Sequence, residues 1–348
     1  MKMRYFKPIL SIKVILAVTF LCFNQQSFAQ RRNLIFESTF ESANSISQWY
    51  ERSLFKPWSA TIENTQIRAG KGALKVELIR GSDVLNGPRA ELGMAPQTSN
   101  EFWYGFSNFF PTSYVRDPVE EIISQWQAMP DTKLGEEWRS PPLSLQIKDD
   151  RYKVSVIWSS ANISTSENTH IDFFDLGPVD RNRWNDWVFH VKWSYNSGTL
   201  QIWKNGVLLL ERLNKPIGYN DVLYPYFKIG IYKWEWSNPK TISTSTNRMY
   251  YIDEIRIGNN LATYKDVLPG DAEVTNQALP IVPNTLKVIK GAEGSYSVSF
   301  TASETITQSS KFILYISSNN GKDYTPILSD STLNLEKNKT YTLTFKAK

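Results

Sequence analysis

Between residues 33 and 268 the chain consists of short runs of alternating apolar and polar residues, broken repeatedly by Gly, Pro and Asn. Successive side chains on a strand point to opposite faces, so sustained alternation specifies half-buried β-structure. No long stretch carries the period of an amphipathic helix, which leaves an antiparallel sandwich or jelly roll as the expected architecture. The alternation also sorts each run into two faces. Phe227, Ile229 and Ile231 oppose Tyr226, Lys228, Gly230 and Tyr232. Leu143, Leu145 and Ile147 oppose Ser144, Gln146 and Lys148, and Trp187, Phe189, Val191 and Trp193 oppose Val188, His190, Lys192 and Ser194. The apolar faces are expected between two sheets. The polar faces carry Tyr, Gln, His and Lys, a hydrogen-bonding set suited to a sugar polymer.

Charge narrows the partners. The 348 residues hold 39 Lys and Arg against 34 Asp and Glu, a net +5. Four of those cations lie in residues 1–29, which carry no acid, and the tail from residue 272 carries eight cations and six acids. The region 30–271 is left with 27 cations and 28 acids. A phosphate-backbone binder needs a clustered basic face, so nucleic acid is not an expected partner. Aromatic residues at 14% speak against disorder, and no apolar run after residue 29 is long enough for a membrane span.

The two ends read differently from the middle. Lys2, Arg4 and Lys7 precede an apolar stretch from Val14 to Phe23, and Ser27-Phe28-Ala29 is a small-x-small cleavage site. Residues 1–29 are therefore expected to be a signal peptide cleaved after Ala29, with the mature chain extracellular or periplasmic. Cys22 is the only cysteine, so the mature chain can hold no disulfide, thiolate metal site or cysteine nucleophile. All 12 tryptophans fall between Trp49 and Trp236. Residues 269–285, rich in Pro, read as a linker, and residues 286–348 as a small β-rich accessory module. Its expected strands are Ser295–Ala302, Lys311–Ser317 and Thr340–Lys346, with Asn319-Asn320-Gly321 as a hairpin turn.

Several segments within residues 34–260 together resemble jelly-roll polysaccharide lyases. Gly87-Pro88-Arg89-Ala90-Glu91-Leu92 is similar to their Arg-x-Glu-Leu strand. Gln125-Trp126-Gln127, followed by Pro141-Pro142-Leu143, is similar to the Gln-Trp-His and Pro-Pro-Leu stretches of the heparin lyase I and glucuronan lyase group. Tyr226-Phe227-Lys228-Ile229-Gly230-Ile231-Tyr232 matches the Tyr-Phe-Lys-x-Gly-x-Tyr strand shared with alginate lyases. The resemblance implies a concanavalin-like jelly roll acting on an anionic, uronic-acid-containing polysaccharide such as alginate, glucuronan, or a heparin-like or ulvan-like chain. Residues 30–268 would form that domain, and the oligomeric state is left open.

Such enzymes cleave by β-elimination, which requires neutralising the C6 carboxylate, removing the C5 proton and protonating the leaving oxygen at C4. Negative charge grows on the carboxylate as the proton leaves, so preorganised donors around that group are the main lever. Arg89 supplies a permanent bidentate cation and Gln125 an amide donor. Tyr232 is the expected proton-transfer residue, and Glu91, on the same face as Arg89, is expected to fix the guanidinium. Lys228 lies four residues before Tyr232, about 13 Å along a strand, too far for contact with its hydroxyl to be assumed, and is expected instead to bind substrate by holding its charge. Tyr226, Gln127, Gln146, Lys148 and Lys192 complete the expected substrate-binding set.

One departure matters. Gln127 stands where the resembled group has His, and an amide cannot serve as a general base. Tyr232 acting alone, His190 or His170 entering from another strand, and Lys148 are the available substitutes, and Tyr232 with His190 is the preferred pair. The missing His keeps a non-catalytic carbohydrate-binding sandwich open as an alternative. A glycoside hydrolase is disfavoured because Asp253 and Glu254 alternate across a strand. No cofactor is required by this chemistry; Asp172, Asp175 and Asp180 are the residues left to hold a structural calcium.

Overall fold

Thirteen hydrogen-bonded neighbours in a row, with two further strands at the side, form one curled 15-stranded sheet that folds back on itself. The computed structural model describes residues 33–82, 87–270 and the strand segments 286–290, 295–301, 312–316, 325–330 and 340–346. Strands are numbered in chain order. The back layer contains β1 (Leu34–Ser38), β3 (Ala60–Glu63), β4 (Ala73–Ile79), β6 (Glu101–Phe109), β11 (Trp184–Lys192), β12 (Ser194–Lys204), β13 (Val207–Tyr219) and β15 (Asn247–Gly258). The front layer runs in the order β2 (Glu51–Ser53), β5 (Arg89–Gly93), β14 (Leu223–Tyr232), β7 (Glu121–Met129), β8 (Leu143–Lys148), β9 (Arg151–Ser159) and β10 (His170–Pro178). The layers join where the end of β13 pairs in parallel with β9, Gly218 with Trp158 and Tyr219 with Ser159. Among the described residues helix is confined to single turns such as Asn44–Ser47 and Tyr264–Val267. This is the expected all-β jelly-roll sandwich.

The apolar faces meet as the alternation requires. Trp126 and Phe227 of the front layer pack on Tyr104, Phe106 and Phe189 of the back layer, with ring centroids 4.8–5.9 Å apart. Aromatic pairs at such separations add to the hydrophobic gain of burying the rings. One end of the sandwich is closed by a buried ion cluster. The Arg248 guanidinium donates to both oxygens of Glu121, and Lys233 lies 3.3 Å from the same carboxylate while donating to the Val119 carbonyl at 2.6 Å. Because Lys233 follows Tyr232 directly, this cluster anchors the end of the strand on which Tyr232 stands.

Gly230 sets the spacing of the front layer. Its φ is +137°, and a Cβ there would sit 2.1 Å from the Ala90 carbonyl oxygen. Only glycine lets β14 approach β5 this closely. The Tyr250 hydroxyl, reaching from the back layer, donates to the Gly230 carbonyl at 2.9 Å.

In the tail, β16 (Leu286–Lys290), β17 (Ser295–Thr301) and β20 (Thr340–Lys346) form one small antiparallel sheet. β18 (Phe312–Ile316) pairs with β19 (Thr325–Asp330). Strands therefore occur close to the three places where alternation put them. Residues 1–29, the Asn319-Asn320-Gly321 turn and most of the 269–285 segment lie outside the described residues.

Candidate active site

The outer face of the front layer is assembled by register. Tyr232 of β14 pairs with Arg89 of β5, Gly230 with Glu91, and Lys228 with Gln125 of β7. Directly paired residues share a face, so Arg89, Glu91, Gln125, Lys228 and Tyr232 all turn away from the core. The Arg89 guanidinium lies flat on the Tyr232 ring, 4.0 Å from its centroid. Gly87, with φ of +87°, arches over this pair; a Cβ there would be 3.2 Å from the ring and 3.5 Å from the hydroxyl. Tyr232 is half-buried and also packs against Trp234 at 5.9 Å.

Glu91 is the hub beneath them. It is 1% exposed, accepts from the Gln125 amide nitrogen, and lies 3.5 Å from Arg89 and 3.2 Å from the Lys228 ammonium. Lys228 also donates to Glu51 of β2 at 2.8 Å. Burial would lower the Lys228 pKa, but Glu91 and Glu51 outweigh it and hold the ammonium above the ordinary lysine range. Burial would raise Glu51, and Lys228 outweighs that in turn, so Glu51 lies below the usual carboxylate range. The four charges cancel. Two polar atoms of the site are nevertheless buried with no partner among the described residues: Arg89 Nε and Gln125 Oε1. Buried polar atoms of native proteins are nearly always paired, so these two mark where a ligand's polar groups would fit.

Other sequence-expected residues fall into place less uniformly. Gln146 is buried on the same face and donates to Ser144 Oγ at 2.7 Å. Lys148 is half-buried at the end of β8 on this face. Gln127 donates to the Arg139 carbonyl at 2.9 Å, so its amide holds the 130–142 loop against β7. Tyr226 is 8% exposed, and burial pushes its phenol up to about 12. Lys228, with its side chain 3% exposed, is a buried member of the charge network and cannot reach a polymer at the surface.

His190 and Lys192 are corrected outright. They stand on β11 in the back layer, and their strand neighbours Phe189 and Val191 fill the core. The pair therefore faces outward on the opposite side of the sandwich, separated from Tyr232 by the whole core. His190 is stacked on Trp103 at 4.0 Å and bridges Gln201 Oε1 (2.9 Å) and Glu101 Oε1 (3.0 Å). Lys192 lies 3.6 Å from Glu101. Strand alternation correctly marked both as polar-facing, but both sheets have a polar face. His170, exposed at the start of β10, stacks on Trp158 and is likewise away from Tyr232.

The three aspartates considered for calcium are dispersed into separate ion pairs. Asp172 accepts from Arg212 at 2.6 Å, Asp175 from Arg151 at 2.6 Å and Asp180 from Lys204 at 2.5 Å. A different trio, Asp131, Glu136 and Asp221, brings carboxylate oxygens within 4.8 Å of one another. Arg139 already supplies the cation there, bonding both Glu136 and Asp221. Sequence reasoning missed Glu51, because a partner 177 residues from Lys228 leaves no local signal.

A family model described as polysaccharide lyase matches residues 40–256. None of the curated proteins matches the chain. Among solved structures, the endo-β-1,4-glucuronan lyase of the fungus Trichoderma reesei is similar over 69% of this chain and 100% of its own, with 20% identity and a TM-score of 0.60. The alginate lyase vAL-1 from Chlorella virus covers 65% of this chain and 100% of its own, at 12% identity and a TM-score of 0.40. The catalytic domain of the glycoside hydrolase family 131 protein from Coprinopsis cinerea covers 69% and 99%, at 13% identity and a TM-score of 0.45.

Proposed function

The chain belongs to the polysaccharide lyase family matched over residues 40–256, and from that premise we propose that it cleaves a uronic-acid-containing polysaccharide by β-elimination at the outer face of the front layer. The observation that carries this reading is Arg89 lying on the Tyr232 ring with its Nε buried and unpaired. In the proposed reaction the C6 carboxylate of one uronate accepts from Arg89, while the Gln125 amide oxygen, its nitrogen held by Glu91, accepts from a sugar hydroxyl beside it and not from the carboxylate. As the C5 proton leaves, negative charge moves onto that carboxylate, and the fixed guanidinium stabilises it without reorganising. Tyr232, in its ionised form, takes the C5 proton and then returns it to the C4 oxygen as the glycosidic bond breaks. One residue can serve both steps at a uronate whose C5 proton and C4 oxygen lie on the same side of the sugar, as in glucuronate and mannuronate. The C4–O bond breaks, so the products are a new reducing end, whose C1 hydroxyl carries the returned proton, and a chain that begins with a uronate unsaturated between C4 and C5.

Glu91 acts through Arg89 and Gln125 as a positioning residue, and Lys228 balances its charge. Neither histidine takes part, because both lie away from this face, and Tyr232 is left as the proton carrier. Residues 1–29 are proposed to direct export, with cleavage after Ala29, so that the polymer is met outside the cytoplasm. The tail is proposed as an accessory module.

The test is an ultraviolet assay for unsaturated ends across glucuronan, alginate, heparin-like and ulvan-like polymers. At least one is expected to yield them, and Tyr232→Phe is expected to lower the rate roughly 10²- to 10⁴-fold. Tight binding with no new ends on any polyuronate would leave only a carbohydrate-binding role for this face.

A further inference from the structure

Two cross-strand rows run from the candidate active site to the far edge of the front layer. One passes from Lys228 through Gln125, Ser144 and Ser155 to Phe173 of β10. The other passes from Arg89 through Tyr232, Ile122, Gln146 and Lys153 to Asp175. Because directly paired residues share a face, Lys153 and Phe173 stand on the same outer surface as Tyr232. Adjacent strands are about 4.8 Å apart, which puts Lys153 about 14 Å from Tyr232 and Phe173 about 19 Å from the Lys228 end of its row.

Both residues lack the partners expected of them. Phe173 is 61% exposed and its strand neighbour Ile171 is 47% exposed, although this is a sheet face and not a loop tip. β10 pairs with β9 alone among the described strands, so no further strand covers them. Lys153 is half-buried, and Asp175 opposite it is already bonded to Arg151 at 2.6 Å. Among the described residues no carboxylate pairs with the Lys153 ammonium. Between the two ends the floor of this face is uncharged and closely packed: Ile122, Gln125, Ser144, Gln146 and Ser155 are all buried, Ser144 and Ser155 share a hydrogen bond of 2.6 Å, and the Gln146 amide oxygen has no partner among the described residues.

We infer that Lys153 and Phe173 form a distal subsite that holds the same polyuronate chain several sugars away from the bond cleaved at Tyr232. The polymer lies across the strands. Arg89 takes the carboxylate at the reacting sugar, Lys153 takes the carboxylate of a remote one, and the Phe173 ring receives the apolar face of a sugar beyond it. An anionic chain fits this spacing better than a neutral one, because Arg89 and Lys153 stand on one row with only the uncharged Tyr232, Ile122 and Gln146 between them, and Asp175 beyond Lys153 is neutralised by Arg151. The contribution is to binding of long chains, since neither residue is near enough to touch the reacting atoms. This inference rests on the β-elimination reading of the same face.

The experiment measures KM against chain length for Lys153→Met, Phe173→Ala and the double variant, on glucuronan and alginate and their size-fractionated oligomers. Affinity electrophoresis in gels containing the same polymers reads binding directly. Lys153→Met is expected to weaken binding of long chains about fivefold, an effect that shrinks as salt is raised. Phe173→Ala is expected to weaken it about tenfold. Both penalties should fall away as oligomers become too short to span the rows, and Phe173→Trp and Lys153→Arg should restore most of the affinity. Equal KM and equal gel retardation at every chain length, in variants that melt like the parent, would remove the subsite. So would a concentration-dependent dimer that Phe173→Ala dissolves, since a second copy would then be the occupant of this edge. Length-dependent binding loss in a parent chain that generates no unsaturated ends would support the subsite while refuting the lyase chemistry at Tyr232.

Discussion

Glu91→Gln probes the charge network under the active site. The substitution keeps the shape of the side chain and removes one of two negative charges from a cluster of two cations and two anions. At 3.2 Å and an effective dielectric constant near 20, the lost Lys228–Glu91 attraction is about 5 kcal/mol. Lys228 is 3% exposed and cannot turn to water, so removing its inner partner falls among changes that cost about 3–5 kcal/mol. Glu51 still holds the ammonium, but with its side chain one-third exposed it recovers no more than about 1 kcal/mol. A net loss of about 3 kcal/mol corresponds, for a domain of this size, to a melting temperature lower by roughly 10 °C. Equilibrium urea unfolding of Glu91→Gln, Lys228→Met and the double variant closes the cycle. The double variant is expected to lose less than the sum of the singles by about 2 kcal/mol or more. Strict additivity, or a loss below about 1 kcal/mol for Glu91→Gln, would refute the network. There is also a pH signature. The folded Lys228 pKa is raised, so its stabilising contribution is complete below the unfolded value near 10.4 and is lost as pH rises through the higher folded value. Glu91→Gln should flatten that alkaline loss.

Three further outcomes follow from placement. His190→Ala is expected to leave the rate of uronate elimination within about twofold of the parent, since the ring lies on the opposite layer, and to cost about 1 kcal/mol of stability from its lost stack and hydrogen bonds; a rate loss of tenfold or more in a folded variant would return His190 to the reaction. Gly230→Ala should destabilise by about 3 kcal/mol or more, or abolish folding, because φ is +137° and the new Cβ collides with the Ala90 carbonyl; an unchanged melting curve would contradict the close approach of β14 and β5. Asp253, fully buried, has its carboxyl pushed up to about 7, chiefly by burial and then by the nearby Glu254. The folded chain therefore binds a proton that the unfolded chain has released above about pH 4, so this group's contribution to stability is present at low pH and falls as pH rises from about 4 through 7. Stability curves of Asp253→Asn and the parent should diverge across that window, and parallel curves would count against the shifted carboxyl.

Legibility in the sequence followed the range of the interaction. Alternation over Tyr226–Tyr232 gave both faces of β14, and the two-residue spacing of Arg89 and Glu91 put guanidinium and carboxylate together, as the 3.5 Å contact shows. The same rule applied to Trp187–Ser194 rightly made His190 and Lys192 outward-facing, yet led to the wrong groove. The resemblance to Gln-Trp-His puts Gln127 in the groove, yet its amide is spent on the Arg139 carbonyl of a loop. Lys228 was set apart from Tyr232 by strand geometry, but its true partners, Glu51 and Glu91, came from strands distant in the chain.

What the sequence determined by itself is what a period of two can encode: that this region is β-structure, which side chains of each run enter the core, and which residues of one strand share a surface. What the tertiary structure alone decided is which of the two layers each strand joins, and therefore which polar faces coincide. A strand's pattern is the same in either layer, because half-burial requires one apolar face whichever sheet receives it. Arg89, Glu91, Gln125 and Tyr232 meet because β5, β14 and β7 are neighbours in the front layer, while His190 faces away because β11 lies between β6 and β12 in the back.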